Sequence, residues 1–327
     1  MEPRREIPKL PPELEALLTP VFRLNKDVTT ALRQQGGGIT DNEARFLVDI
    51  FYTMQDQRIR CNNQVKGLDR DATKAGNEAE PHTALDWTLT QFKTLENQIE
   101  RLLAIYTQSH DMAWFFDQTV GIGPILSAGI LAHIDISKAP TAGHIWNFAG
   151  LNPDIRWEKK TKRPWNAELK KICWKIGDSF VKQSSHPRDF YGKLYRERKA
   201  YEWKRNLAGD MADQAARYLG EKSYGKDTDA RAWYSGQCDP ELARALLEAG
   251  KPATAAACKG ANGVHMLPPA QIDMRARRYT VKMFLSHLQQ RWWEHKYHEA
   301  PPKPFAIAQR GHAHVIEPPQ INPAVIH

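Results

Sequence analysis

Two glycines one residue apart, Gly121 and Gly123, stand just before a helical apolar run in the middle of the chain. Glycines at this spacing let the chain turn sharply and bring backbone N–H groups against a phosphate. Pro124 suits the first turn of the next helix, whose positive end also favours an anion. The pattern is typical of a helix-hairpin-helix, and it predicts that Gly121, Ile122 and Gly123 offer backbone amides to one phosphate. The alternative is an ordinary glycine turn between core helices.

Positive charge is concentrated downstream of this bend. Residues 156–205 carry sixteen Lys or Arg and six Asp or Glu, a net charge of +10, whereas the whole chain carries +8. Aromatic residues are interleaved with these cations, a combination that suits phosphate contact with occasional stacking on a base or sugar. The alternative is that the aromatics only pack the core. The cations that we predict to contact phosphates are Lys159, Lys160, Lys162, Arg163, Lys170, Lys171 and Lys175.

A second positive surface is predicted on a long C-terminal helix. Arg275, Arg278 and Lys282 fall on one stripe of this helix, beside an apolar stripe that can dock on the core. Phosphate contacts confer affinity and register but little sequence preference. Together, the two basic regions favour a polyanionic partner, although charge alone does not separate DNA, RNA and an acidic protein. If the partner is a nucleic acid, the affinity is expected to fall steeply as salt rises.

The elements that must position these residues are predicted to be helices. No stretch of the chain alternates like a sheet strand, so we expect a mainly α fold. A capping box from Thr40 to Glu43 opens a helix to about residue 65, and a second helix is expected from about residue 83 to 108 after a polar loop. This pair predicts an antiparallel hairpin or one arm of an intermolecular coiled coil, and three heptads leave both alternatives open.

Composition and pattern divide the chain into six segments. They are an N-terminal arm (1–38), the helical hairpin (39–110), a helix-hairpin-helix domain (111–205), an Ala- and Gly-rich helical excursion (206–268), the basic amphipathic helix (269–299) and a proline-rich tail (300–327) that we expect to be extended.

The composition is ordinary for a globular protein, with 41% hydrophobic and 26% charged residues. The four cysteines show no CxxC pairing, no signal peptide is evident, and no apolar run approaches the length of a membrane span. We therefore predict a cytoplasmic protein without a membrane span.

Two motifs together resemble the C-terminal domain of insertion-sequence 110/116/902 transposases. They are the glycine pair followed by Ala128, Ile130, Leu131 and Ile134, and the run from Trp146 to Pro153 that reads Trp-x-Phe-Ala-Gly-Leu-Asn-Pro. The helical hairpin looks like that family's coiled-coil linker, and Asn166 to Lys182 is similar to its basic helix. The resemblance covers about residues 83–205, and it implies double-stranded DNA, a structured RNA and a homo-oligomer.

Catalysis in that family implies two further parts, an RNase-H-like nuclease domain and a nucleophilic serine. Residues 1–110 show no alternating strands with carboxylates at their ends, so we predict that the nuclease domain is lacking. Residues 162–178, where the serine is expected, contain no Ser or Thr. Ser179, between Lys175 and Lys182, is the candidate substitute nucleophile, and the alternative is a small residue on a packed helix. Mg²⁺ is expected only if the chain is an active recombinase.

No metal site is predicted. The closest histidine pairs, His312 with His314 and His295 with His298, lack a Cys or carboxylate at a completing distance. The sequence thus favours a DNA-binding protein related to the transposase C-terminal domain. Two rival classes stay open, namely an active transposase or recombinase that uses Ser179 or a separate nuclease partner, and an RNA-binding or oligomeric assembly protein.

Overall fold

Helices build this protein. The computed structural model describes residues 30, 38–76, 82–155, 157–260, 263–302 and 316–320. Eleven α-helices lie wholly within these ranges, with one 3-10 turn at Ile136–Lys138, and the only β pairing described is an isolated bridge between Cys238 and Lys259. The predicted mainly α class is confirmed. The described helices include none that is long and apolar enough to cross a membrane.

The helices are numbered here in chain order. They are α1 (Asp41–Lys74), α2 (Thr83–Gln108), α3 (Ala113–Asp117), α4 (Pro124–His133), α5 (Ala142–Phe148), α6 (Ala167–Lys182), α7 (Phe190–Leu207), α8 (Ala212–Glu221), α9 (Asp229–Tyr234), α10 (Pro240–Glu248) and α11 (Pro269–Tyr297).

The chain forms two compact units. Among the described residues, the first unit comprises those up to Gln118 together with Ile122–Asp135, and the second comprises Thr119–Gly121 and those from Ile136 to Gln320. The segment 1–38 that we predicted as an arm lies outside the described residues, except for Thr30 and Gly38, and so do tail residues 303–315 and 321–327.

In the first unit, α1 begins at the predicted capping box. The Thr40 hydroxyl accepts from the Glu43 N–H, and the Glu43 carboxylate accepts from the Thr40 N–H at 2.7 Å. The helix continues to Lys74, beyond the end near residue 65 that the polar composition indicated. The prediction of a polar loop between the first two helices was wrong over residues 67–74, because the charged residues there line an exposed helix and do not break it.

Helices α1 and α2 pack antiparallel. The Tyr106 hydroxyl near the end of α2 donates to the Asp41 carboxylate at the start of α1 at 2.8 Å. Further along the pair, the Arg58 Nε lies 2.7 Å from the Glu96 carboxylate. A packed helical pair is therefore present, and whether it also forms an intermolecular coiled coil stays a prediction.

The second unit is organised by α11, which packs against α5, α6 and α7. Its apolar side meets an aromatic cluster in which the Phe180 and Tyr191 rings stack with centroids 4.8 Å apart, beside Phe284. The buried His287 ring contacts the Tyr191 hydroxyl at 3.0 Å and the Ile316 carbonyl oxygen at 2.8 Å. The contact with Ile316 attaches the described tail residues to α11, and the contact with Tyr191 joins α11 to α7.

The Ala- and Gly-rich segment 206–268 contains the short helices that we expected. They surround a buried cluster centred on Trp233, which is fully buried, and on Trp203 of α7. Cys238 and Cys258 are also fully buried in this cluster. The segment therefore belongs to the packed body of the second unit and is not a loose excursion from it.

Candidate nucleic-acid interface

A basic loop precedes α6, and its shape is set by an indole. The Trp157 Nε1 donates to the Thr161 carbonyl oxygen at 2.9 Å, and the Thr161 N–H donates to the Glu158 carbonyl oxygen at 3.2 Å. These bonds close a tight turn in which Lys160 adopts a left-handed backbone conformation, with φ of +73°. The Arg163 guanidinium lies 5.2 Å from the centre of the Trp157 ring. The turn therefore displays four exposed cations, Lys159, Lys160, Lys162 and Arg163.

The loop is anchored where it enters α6. The Asn166 N–H donates to the Phe148 carbonyl oxygen at 2.8 Å, and the Asn166 side chain caps α6 by accepting from the Leu169 N–H. Trp165 packs flat on Gly150, whose φ is +64°, and a Cβ at Gly150 would lie 2.6 Å from the indole. Only glycine permits this contact, so residues 150 and 165 together fix the loop against the end of α5.

Lys170 extends the positive charge from the loop onto α6. Its Nζ lies 4.1 Å from the centre of the Trp165 ring. Desolvation, and then the charges of Arg278 and Arg163, lower the pKa of Lys170. The ammonium group is therefore close enough to both guanidinium groups to be repelled by them. No described carboxylate lies within ion-pairing distance of Arg163, Lys170 or Arg278.

Lys282 lies on α11 one turn beyond Arg278. Its Nζ is 4.0 Å from the centre of the Trp146 ring, and the Trp146 Nε1 donates to the Lys282 carbonyl oxygen at 3.1 Å. Desolvation lowers the pKa of Lys282, the charge of Arg278 lowers it further, and Asp154 opposes the shift. Lys282 is thus half-buried beside the exposed Arg278 and contributes charge with little surface of its own.

The other two cations of α6 that we predicted to contact phosphates are less available for such a contact. Lys171 is exposed, and its Nζ lies 3.2 Å from the Glu168 carboxylate. Lys175 is half-buried. We therefore define the positive surface by six exposed residues that share the second unit: Lys159, Lys160, Lys162, Arg163, Lys170 and Arg278.

Arg275 does not join this surface. Its Nε lies 2.7 Å from the Glu202 carboxylate, and its Nη1 lies 3.2 Å from the Gln214 side-chain oxygen. Glu202 is only 1% exposed and also pairs with Arg198 at 2.5 Å. The predicted stripe of Arg275, Arg278 and Lys282 is therefore divided, because a carboxylate on α7 draws the first guanidinium into the protein. We leave Arg275 out of the proposed interface.

The bend at 121–123 has the predicted local conformation. Gly121 has a φ of +89°, and Pro124 begins α4 with Gly123 as its N-cap. Ile122 is buried, whereas Gly123 is exposed, and a Cβ there would meet nothing within 4 Å. Gly121 belongs to the second unit and the next two residues to the first. The contact of their amides with one phosphate stays a prediction.

Ser179, the candidate nucleophile, is engaged with this bend. Its hydroxyl donates to the Gly121 carbonyl oxygen, and a Cβ on Gly121 would lie 3.1 Å from the Ser179 Oγ. The neighbouring Lys182 pairs with Asp178 at 2.6 Å. Because the hydroxyl proton is engaged in this hydrogen bond, the arrangement favours the alternative that Ser179 is a small residue on a packed helix.

A cavity of about 250 Å³ opens beside the positive surface, between α6, α11 and the loop at 150–155. Lys170, Trp174 and Arg278 line it together with Trp165, which forms part of its wall. Sequence reasoning missed Trp174 as a site residue, although its place among the cations of α6 was a signal. It also missed Arg277, which lines the cavity and pairs with Asp178 at 3.0 Å and with Asp273 at 2.6 Å.

Nothing matches this chain among protein-family models, curated proteins or solved structures. In the described part of the chain, no group of three or more His, Cys, Asp or Glu could hold a metal ion. His295 and His298 lie exposed at the end of α11, and His312 and His314 lie outside the described residues.

Proposed function

We propose that this protein binds nucleic acid, and double-stranded DNA in particular, through the positive surface of its second unit. The observation that carries the proposal is the uncompensated cluster of Arg163, Lys170 and Arg278. Each of these cations is close enough to another to be repelled by it, and no described carboxylate pairs with any of the three.

Elsewhere in the same unit, three partly buried arginines are paired. Arg277 meets two carboxylates, and Arg198 and Arg275 share Glu202. Against this background, a cluster of mutually repelling cations costs free energy in the isolated chain. A phosphate backbone that approaches the cluster offsets the repulsion and releases counterions, which is the main source of affinity in non-specific DNA binding.

The basic loop suits a backbone contact because it is held rigidly. The Trp157 turn and the packing of Trp165 on Gly150 fix where its lysines emerge. Ordering long side chains on a fixed turn costs less than ordering a flexible loop as well. Such contacts set affinity and register and read little sequence. We therefore propose binding that tolerates many sequences and weakens strongly with salt.

The resemblance to the transposase C-terminal domain agrees with a DNA partner, and the structured RNA and homo-oligomer that it implies stay predictions. We do not include strand transfer in the proposal. Ser179 would have to give up its bond to the Gly121 carbonyl oxygen before it could act as a nucleophile.

The test is the salt dependence of duplex binding by the full chain. We compare the wild type with a loop variant, Lys159→Gln, Lys160→Asn and Lys162→Gln, in which Asn suits the left-handed position. If each lysine neutralises one phosphate, the slope of log K against log salt becomes shallower by about 2.7. The matched control removes the same charge from exposed lysines outside the surface: Lys226→Gln, Lys251→Gln and Lys259→Gln.

The control is expected to keep the wild-type slope, and both variants are expected to keep the wild-type unfolding temperature. A wild-type Kd that does not respond to salt would contradict the proposal. So would a loop variant that behaves like the control, because the charge of the whole protein and not the surface would then explain binding.

A further inference from the structure

The cavity between α6 and α11 has the size of a small ring system. Its volume of about 250 Å³ lies below the range of about 300–1,000 Å³ usual for drug-sized ligands. Gly177 brings the helices together here, since a Cβ on it would lie 3.2 Å from the Val281 Cγ2. The size of the cavity therefore suits one planar heterocycle.

The lining combines an apolar floor with an aromatic wall and a positive rim. Leu151, Cys173 and Val281 are buried apolar residues of the lining. Trp174 stands on the wall with 51% of its surface exposed. Among the described residues it makes no ring contact or hydrogen bond, so the fold leaves its large apolar face open beside the cavity.

Trp165 behaves differently from Trp174. It lies against Gly150 and under the Lys170 ammonium group, so its position is set by the protein itself. Trp174 is therefore the indole available to stack on a ligand, while Trp165 shapes the wall.

The positive charge at the rim of the cavity indicates that its ligand carries an anionic group as well as a ring. Lys170 and Arg278 both line the cavity and both belong to the positive surface. A ligand that fills the cavity therefore places any group attached to it among uncompensated cations. A nucleotide meets both demands, because its base is a flat ring and its phosphates are anions. Stacking on an aromatic side chain beside a cationic groove is the usual way that proteins hold unpaired bases.

We propose that this cavity receives one unpaired nucleobase, stacked on Trp174, while the flanking phosphates lie on the positive surface. The inference rests on the proposed function and sharpens it. A base within a duplex is covered on both faces by its neighbours and cannot enter a pocket unless it leaves the stack. The preferred nucleic acid is therefore a duplex that contains an unpaired nucleotide.

The experiment measures the Kd of the full chain for four DNAs of equal length at one salt concentration. They are a perfect duplex, the same duplex with one unpaired adenine, the same bulge with an abasic residue, and the single strand. We expect the adenine bulge to bind roughly 5- to 150-fold more tightly than the perfect duplex, the range expected from one stacked base. The abasic bulge is expected to lose most of that gain.

Two variants assign the gain to the cavity. Trp174→Ala is expected to abolish the preference for the adenine bulge over the perfect duplex, whereas Trp174→Phe is expected to retain part of it. The matched control is Tyr201→Ala, because Tyr201 is an equally exposed aromatic, at 49%, that does not line the cavity. 2-Aminopurine in the unpaired position reports stacking directly, and its fluorescence is expected to fall with wild type but not with Trp174→Ala.

The results separate the two proposals. Binding to the perfect duplex without a preference for the adenine bulge overturns the base pocket and leaves the proposed function standing. An abasic bulge that binds as well as the adenine bulge also overturns it, since bending and not the base would then explain the gain. The absence of binding to all four DNAs overturns both proposals.

Discussion

Substituting two arginines of α11 one at a time separates the structural role of this helix from its proposed role in DNA binding. Arg275 and Arg278 are three residues apart, but the first pairs with the buried Glu202 and the second is exposed on the positive surface. We change each arginine to Met, which keeps the length of the side chain and removes its charge and hydrogen bonds. The two variants therefore carry the same chemical change at positions with opposite expected effects.

The expected magnitudes follow from these contacts. Removing one partner of a buried ion pair costs about 3–5 kcal/mol when the other charge is left alone. Glu202 keeps its contact with Arg198, so we expect Arg275→Met to lower the free energy of unfolding by about 2 kcal/mol, or roughly 4–8 °C for a unit of this size. Arg278→Met is expected to change it by less than about 0.5 kcal/mol, since the side chain is exposed and repels Lys170.

The two substitutions are expected to affect DNA binding in the opposite order. Arg278→Met should make the slope of log K against log salt shallower by about 0.9, the loss of one phosphate contact, whereas Arg275→Met should leave the slope unchanged. Thermal unfolding and fluorescence anisotropy with a labelled duplex measure the two quantities on the same samples, at a temperature where both variants are folded. Equal effects of the two substitutions on the slope would refute the division of this helix into a buried and an exposed positive side.

Two other perturbations test the fold that carries the surface. Burial lowers the pKa of His287 to about 4 from 6.5, so the native state holds this ring neutral while the unfolded chain takes up a proton. The contribution of His287 to the free energy of unfolding is complete above about pH 6.5 and is lost as the pH falls towards 4. In urea unfolding, we therefore expect the wild type to lose about 2 kcal/mol more than His287→Asn between pH 7 and 4.5. Gly150→Ala should cost about 1–3 kcal/mol in urea unfolding, because the new Cβ would meet the Trp165 ring at a positive φ. The matched control, Gly220→Ala, places a Cβ in open space on α8 and should be neutral or stabilising, and an equal loss in both variants would show that the Trp165 contact does not matter.

Local signals in the sequence predicted local structure well. The capping box of Thr40 and Glu43 forms as expected because both partners lie within one helical turn. Pro124 begins α4 for the same kind of reason, since its fixed φ and missing N–H suit a first turn. The end of α1 was missed because the polarity of residues 67–74 is equally consistent with a loop and with an exposed helix.

The candidate site depended on contacts that no spacing reveals. Arg275 and Arg278 have the same residue type and the same helical stripe, and the carboxylate that separates them comes from residue 202, 73 positions earlier. The cavity likewise joins α6 and α11 with a loop that precedes both. Local charge density therefore predicted where the exposed cations of the positive surface lie, while the pairing of Arg275 with Glu202 and the place of Trp174 beside the cavity required the tertiary structure.

Lysine footprinting measures whether DNA covers the positive surface when it binds. Full-length protein is treated briefly with an acetylating reagent, with and without a saturating duplex, and the modification rate of each lysine is read by mass spectrometry. The account predicts that Lys159, Lys160 and Lys162 are modified more slowly when DNA is bound, while Lys226 and Lys251 keep their rates. Unchanged rates in the basic loop, or equal protection at all five lysines, would contradict it.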